Sequence, residues 1–279
     1  MMLANRMLDL LVRTPGFLGL WSRLQWGSLP LRVRYGAWSR PHYAYGVFAA
    51  ADLAKRLGLS AISVIEFGVA GGNGLVALEQ IAKLTAAHFG ITIAVYGFDA
   101  GTGMPAPQDY RDLPHVWDQG FYKMNEAALR ARLSSAQLFI GNVAQTIPAF
   151  AAQSHPPIGF VSFDLDYYSS TKAALTLFDA PPESRLPRVY GYMDDIIWPE
   201  YACHNEYIGE LLAIREFNAE HAHLKLCKLH LLRHMRRHAF PWNDQIYVLH
   251  DFLHPLYAKN ITGSGAAERE IPLTMTTSA

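Results

Sequence analysis

The sequence predicts an α/β fold: a mostly parallel, seven-stranded sheet with helices on both faces. Three observations carry this. Short apolar runs alternate with helix-length amphipathic segments from about residue 42 onward, a glycine-rich stretch follows directly on the first run, and carboxylates stand at the ends of four runs. Strands of a parallel sheet covered on both faces read as near-continuous apolar runs, and parallel neighbours need a crossover between them, usually a helix.

Residues 1–40, with scattered Trp, Arg and Gly, predict an irregular helical cap, and His42–Leu57 a helix feeding the core. Ile62–Phe67 reads as a strand, Asn73–His88 as a helix ended by Gly90, and Ile91–Phe98 as the next strand. A long polar loop leads to a helix near 125–133, a short strand Gln137–Ile140 and a buried strand Ile158–Phe163. Ser170–Phe178 predicts a helix stopped by Pro181-Pro182, Arg188–Met193 a strand, and Glu206–Asn218 a helix. Leu224–Leu232 and Gln245–Leu249 close the series as two strands. The division that follows is a cap over 1–57, a sheet domain over 58–258 and a Gly/Ser/Thr-rich flexible tail over 259–279.

Apolar residues make up 51% of the 279 and charged ones 17%, a balance that excludes wholesale disorder. Lys+Arg and Asp+Glu are both 24, so no global field recruits nucleic acid or an anionic membrane. Cys203 and Cys227 stand alone, which fits a reducing cytoplasm and no structural zinc. Arg6, Asp9 and Arg13 interrupt the apolar N-terminal stretch, so neither a signal peptide nor a transmembrane segment is expected. Met7, Leu8, Leu11 and Val12 share one helical face, suited to packing on the body or on a second copy as a homodimer, with a peripheral membrane contact as the alternative.

In open α/β sheets, ligands bind beyond the carboxyl ends of the strands, where the strand order reverses. The first strand runs into Glu66-Phe67-Gly68-Val69-Ala70-Gly71-Gly72-Asn73-Gly74, and Gly68, Gly71, Gly72 and Asn73 are the candidate cofactor cradle. Nicotinamide and flavin enzymes use such a turn too, and Gly72-Asn73-Gly74-Leu75-Val76-Ala77 is a passable fingerprint for an NAD(P)-dependent oxidoreductase. Glu66 discriminates. A pyrophosphate beside that carboxylate is electrostatically unfavourable, whereas the ammonium and sulfonium of S-adenosylmethionine are natural neighbours. Asp99, ending the second strand, can accept hydrogen bonds from both ribose hydroxyls. The bland alternatives are a helix cap for Asp99 and a surface pair for Glu66.

These residues carry a resemblance. EFGVAGGNG followed by YGFDAGTGMP resembles the cofactor half of the Rossmann-like class I methyltransferases, and in particular is similar to the macrocin-type, metal-dependent sugar O-methyltransferases. Phe139–Pro148 (FIGNVAQTIP) resembles the same family's segment after the third strand, which implies an adenine contact around Asn142; an acid often found there is missing.

The fourth strand exits as Asp164-Leu165-Asp166-Tyr167-Tyr168-Ser169-Ser170-Thr171 and the fifth as Met193-Asp194-Asp195. In this topology the two strands are neighbours. Convergent carboxylates repel unless protonated or neutralised, and an all-oxygen set favours Mg²⁺ or Mn²⁺. The family's Asp-x-Asp-x-Tyr-x-Ser-Thr motif and Asp-Asp pair match here, which implies Asp164, Asp194 and Asp195 as metal ligands and Asp166 as general base. The alternative is that Asp166 or Ser169 caps the following helix. The expected function is therefore divalent-metal-assisted methyl transfer from S-adenosylmethionine to a hydroxyl of a sugar or glycoside-like small-molecule acceptor.

Residues 101–123 form a loop long enough to act as a lid, with Tyr110, His115, Trp117, Phe121 and Tyr122 as its aromatic members. His221, His223, His230, His234 and His238, among Lys and Arg, read as a solvated basic face, with an anionic-substrate contact as the alternative, and not as a metal site. His250–Pro255 reads as closing the fold.

Overall fold

The computed structural model describes residues 2–262. The tail expected over 259–279 lies, from residue 263, outside the described residues. The chain opens with α1 (Met2–Leu11), α2 (Phe17–Leu24), α3 (Leu29–Tyr35) and α4 (Pro41–Leu57). It continues with β1 (Ala61–Phe67), α5 (Asn73–Phe89), β2 (Thr92–Asp99), α6 (Glu126–Arg130), β3 (Gln137–Ile140), α7 (Val143–Ala151) and β4 (Ile158–Phe163). Then come α8 (Tyr168–Leu175), β5 (Arg185–Met193), α9 (Gly209–Glu220), β6 (Leu224–Lys228), α10 (Leu232–Met235) and β7 (Ile246–Asp251).

The seven strands order as β3-β2-β1-β4-β5-β7-β6. The first five run parallel, but β7 pairs antiparallel with both β5 and β6, so the sheet is mixed. The reason is local. The connection from β6 to β7 carries no long crossover helix, only the four-residue α10 and a turn over Pro241–Asp244, and β7 returns antiparallel beside β6. The expected strand Leu224–Leu232 also stops at Lys228, because Leu231 takes a left-handed φ of 59° and α10 begins at the next residue.

Each sheet face carries its own core. Tyr43, Val47, Ala50, Ala51 and Ala54 of α4 pack with Leu75, Leu78 and Ile81 of α5 against Ile62, Val64 and Phe160. On the other face Ile147 and Phe150 of α7, Leu175 of α8 and Phe217 of α9 cover Ile65, Phe67, Phe98 and Phe163. Residues 42–57, read with the N-terminal cap, thus lie in the same apolar cluster as β1 and β4. The helices before α4 gather around Trp21, Tyr35, Ala37 and Val12. Leu8 of α1 and Val12 just after it are inward, while Met7 and Leu11 face outward, which corrects the single face expected for all four. No described helix is long and apolar enough to cross a membrane.

The backbone ladder runs past the strand ends and aligns the tips. Gly68 N donates to Phe98 O (2.9 Å), Asp164 N to Phe67 O (3.1 Å), Asp194 N to Phe163 O (2.9 Å) and Gly141 N to Asp99 O (2.9 Å). The order reverses between β1 and β4, so the switch point lies where these residues emerge.

Candidate active site

At that point a cavity of about 870 Å³ opens, large enough for a nucleoside cofactor together with part of a second molecule. Its lining holds every sequence-predicted site residue: Glu66, Gly68, Gly71, Gly72, Asn73, Asp99, Asn142, Asp164, Asp166, Asp194 and Asp195.

At the β1 end the turn after Phe67 depends on glycine twice. Gly68 has φ +82°, and a Cβ there would stand 1.6 Å from the Asp164 carbonyl oxygen. Gly74, in the first turn of α5, lies so close to Glu66 that a Cβ would sit 1.9 Å from its Oε1. Glu66 is fully enclosed. Tyr43 Oη donates to its Oε1 (2.6 Å) and in turn accepts from Ser162 Oγ (3.1 Å), while Oε2 has no partner among the described residues. Burial pushes the Glu66 carboxyl up to about 8, against the lowering pull of Tyr43 and Arg40. A surface pair is thereby set aside: this is a buried acid with one oxygen waiting for a donor.

The Glu66 shift has a thermodynamic consequence. With an ordinary value of 4.5 and about 8 in the fold, the folded protein keeps a proton that the unfolded chain releases over that window. Its contribution to stability is complete below about 4.5 and is lost as pH rises through about 8, by up to about 1.4 kcal/mol per pH unit. Glu66→Gln cannot ionise, so in urea unfolding without cofactor its stability should gain on the wild type between pH 5 and pH 8. A difference that stays constant with pH would show that Glu66 titrates normally.

Asp99 braces the same turn from β2. Its Oδ2 accepts from Ala70 N (2.7 Å) and its Oδ1 from Gly101 N (2.6 Å), which fixes the carboxylate in the cavity wall. Each carboxylate oxygen retains a second acceptor site, enough for two ribose hydroxyls. Asn142 lines the cavity, while its Oδ1 caps α7 through Ala144 N (2.9 Å). The Asn73 side chain accepts from Arg132 Nη1 (3.3 Å), and only the remainder of the residue serves the turn.

At the β4 and β5 ends, one carboxylate oxygen each from Asp164, Asp194 and Asp195 lie within 4.8 Å of one another. Each of the pair on β5 is held from behind. Tyr192 Oη donates to Asp194 Oδ1 (2.5 Å), and Asp166 N donates to Asp195 Oδ2 (2.9 Å). Burial, then repulsion from Asp194 and Asp195, lifts the Asp164 carboxyl well above its usual range. Burial and Asp166 do the same to Asp195. Two oxygens on one Mg²⁺, each at about 2.1 Å, stand about 3–4 Å apart, so this all-oxygen set suits a hard divalent ion. Asp166 is buried at a left-handed φ of 59°, and burial and then Asp164 raise its carboxyl to about 7.

Several contributors escaped the sequence reading, Trp198 and Tyr201 of the cavity rim among them. Tyr43 and Arg40 come from the start of α4, which reads only as an amphipathic helix. Glu210 of α9 is wholly buried behind the cluster, its Oε2 accepting from Asp195 N (3.2 Å). Asp112 caps α8 from the long loop, accepting from Ser169 N (2.8 Å) and Ser169 Oγ (2.9 Å). That contact starts α8 at Tyr168 rather than the expected Ser170, and it leaves no capping task for Asp166 or Ser169. Signals existed in the polar loop and in an acid set among the buried apolar residues of α9, but nothing local connects either to the strand tips.

The 101–123 loop is ordered by that anchor and by Tyr167 Oη donating to Pro105 O (3.2 Å). Met104, Pro105, Trp117 and Tyr122 line the cavity, whereas Tyr110 and Phe121 point outward and His115 is exposed. Trp198 and Tyr201, from the segment after β5, complete an aromatic rim. The histidines of 221–238 do not share one face. His221 packs on Phe217 and meets Asp179, His238 stacks near Tyr35, and His223, His230 and His234 are exposed.

No protein-family model and no curated protein matches the sequence. Solved structures do. CalS11, a calicheamicin methyltransferase, superposes with a TM-score of 0.52 at 20% identity, covering 88% of this chain and 90% of that one. The O-methyltransferase NovP follows at 15% identity, TM-score 0.48, covering 77% and 90%. TomG, an O-methyltransferase from Streptomyces achromogenes solved with S-adenosylmethionine, gives 11% identity and a TM-score of 0.41 over 73% and 77%. At these identities the likeness is one of fold. The chain shares with CalS11 an α/β architecture on which methyltransferases are built, and its sheet is mixed rather than wholly parallel.

Proposed function

We propose that this protein is an S-adenosylmethionine-dependent O-methyltransferase assisted by a divalent metal, acting on a hydroxyl of a sugar or glycoside-like acceptor. One observation carries the reading: a single cavity joins a glycine turn with buried Glu66 and the braced Asp99 to a cluster of Asp164, Asp194 and Asp195. Glu66 takes the methionine ammonium and Asp99 the ribose. Gly68, Gly71, Gly72 and Asn73 supply the turn against which the methionine moiety lies, and Asn142 borders the adenine. Asp164, Asp194 and Asp195 would hold Mg²⁺ or Mn²⁺, which would supply acidity and orientation to an acceptor hydroxyl.

The residues of the chain do the rest. Asp166 accepts the hydroxyl proton as the oxygen attacks the methyl carbon in line with the departing sulfur. The aromatic rim of Trp117, Tyr122, Trp198 and Tyr201 orients the acceptor and excludes water. The nicotinamide alternative gains nothing here. A pyrophosphate at this turn would meet Glu66, and that reading leaves the aspartate cluster without a task.

The test is methyl transfer from isotopically labelled S-adenosylmethionine to a panel of glycosides. Excess chelator should abolish it, and added Mg²⁺ or Mn²⁺ should restore it. Full activity in chelator rules out the metal, and labelled glycoside formed by no member of a broad panel rules out the acceptor class.

A further inference from the structure

Six carboxyl groups line the cavity: Glu66, Asp99, Asp164, Asp166, Asp194 and Asp195. Against them stands one cationic side chain among the described residues, Arg40. Its guanidinium carbon lies 5.6 Å from the centre of the Tyr43 ring, and Tyr43 Oη is hydrogen-bonded to Glu66. Arg40 and Glu66 thus both border the Tyr43 side chain and line the same cavity, close enough for Glu66 to favour the Arg40 charge. Burial works against its charge, but attraction to Tyr43, Glu66, Asp164 and Asp194 outweighs that, so it stays a cation with no side-chain hydrogen bond of its own among the described residues. It is also the N-cap residue of the 17-residue α4, whose N-terminus adds positive partial charge at the same spot.

The ammonium and carboxylate of an amino acid share one carbon, so they lie within about 3 Å of each other. An ammonium at Glu66 therefore brings an anion next to Arg40, and nothing else cationic lines the cavity to receive it. We infer that Arg40 grips the α-carboxylate of the methionine moiety and makes the cavity selective for carboxylated adenosylmethionine over its decarboxylated and truncated relatives. This rests on the cofactor assignment made above. Arg40 is the one cationic side chain lining the cavity that can offset an anionic group, so this contact favours the amino-acid end that carries the carboxylate.

Calorimetric titration of the full chain tests it, with S-adenosylhomocysteine, S-adenosylmethionine, decarboxylated S-adenosylmethionine and 5′-methylthioadenosine as probes. Arg40→Gln should weaken the two carboxylated ligands by about 10- to 100-fold, the usual range for hydrogen bonds to a charged group, and leave the other two within about twofold of wild type. Arg40→Lys should recover part of the loss. An unchanged melting temperature without ligand shows that the variant folds. Equal losses for all four ligands, or none for the carboxylated pair, would overturn the inference and leave the cofactor assignment standing. If wild type binds none of the four, the cofactor assignment itself falls, and this inference with it. A raised KM for the acceptor with cofactor affinity intact would move Arg40 to the acceptor side and refute it.

Discussion

Asp166→Asn is expected to lower kcat by about 10²–10⁴, the usual contribution of a positioned general base, while leaving cofactor and metal affinity nearly unchanged. The substitution suits the backbone. Asp166 sits at φ 59°, a conformation that Asn adopts as readily as Asp; its backbone N–H to Asp195 is kept, and the side chain's own contact with Asp195 can be kept by the donating amide. Raising the pH should partly rescue the variant, since ionised acceptor becomes commoner. Two rivals give other signatures. As a fourth ligand, Asp166 would shift the metal concentration needed for activity. As a helix cap it would lower stability by about 1 kcal/mol with little kinetic effect. Asp112 already caps α8 from the long loop, so that second signature belongs to Asp112→Ala. Metal titration, melting and kcat on Asp166→Asn therefore separate the roles, and an unchanged kcat would remove it from the mechanism.

Asp99→Ala should weaken S-adenosylhomocysteine by at least about 10²-fold, and Asp99→Asn should be nearly as damaging. Loss of two hydrogen bonds to a carboxylate accounts for the first figure. The second follows from the brace. Both Asp99 oxygens accept from backbone N–H groups, Ala70 on one side and Gly101 on the other. An amide NH₂ must face one of these donors, so the change that looks conservative sets donor against donor and frees one arm of the turn. Ala70 is held at a φ of 46°, which makes that arm the first to relax. Calorimetry on both variants checks this, and an Asp99→Asn protein of wild-type affinity would mean that Asp99 does not serve the ribose.

The strand tips were legible because they are written locally. A run such as Ile62–Phe67 ends in an acid and a glycine turn within a few residues, and the parallel pairing of β1, β4 and β5 then brings Glu66, Asp164 and Asp194 to one edge. Helix α7 was not legible, because Pro148 inside it reads as a breaker. The antiparallel entry of β7 between β5 and β6 escaped too, since apolar runs record burial but not direction. Contacts that span the chain were beyond reach. Tyr43 meets Glu66 across 23 positions and Asp112 meets Ser169 across 57, and in the sequence each looks like an ordinary helix or loop residue. Arg40 was invisible for the same reason: its meaning comes from the acids around it, all of which lie on other elements.

The account turns on what the cavity at the β1 and β4 tips holds, and one titration addresses that directly. The full chain titrated calorimetrically with S-adenosylhomocysteine, and in parallel with NADH, should bind the first and show no heat with the second. Binding of NADH with none of S-adenosylhomocysteine would contradict the assignment of Glu66, Asp99 and the glycine turn together, and with it the methyltransferase reading.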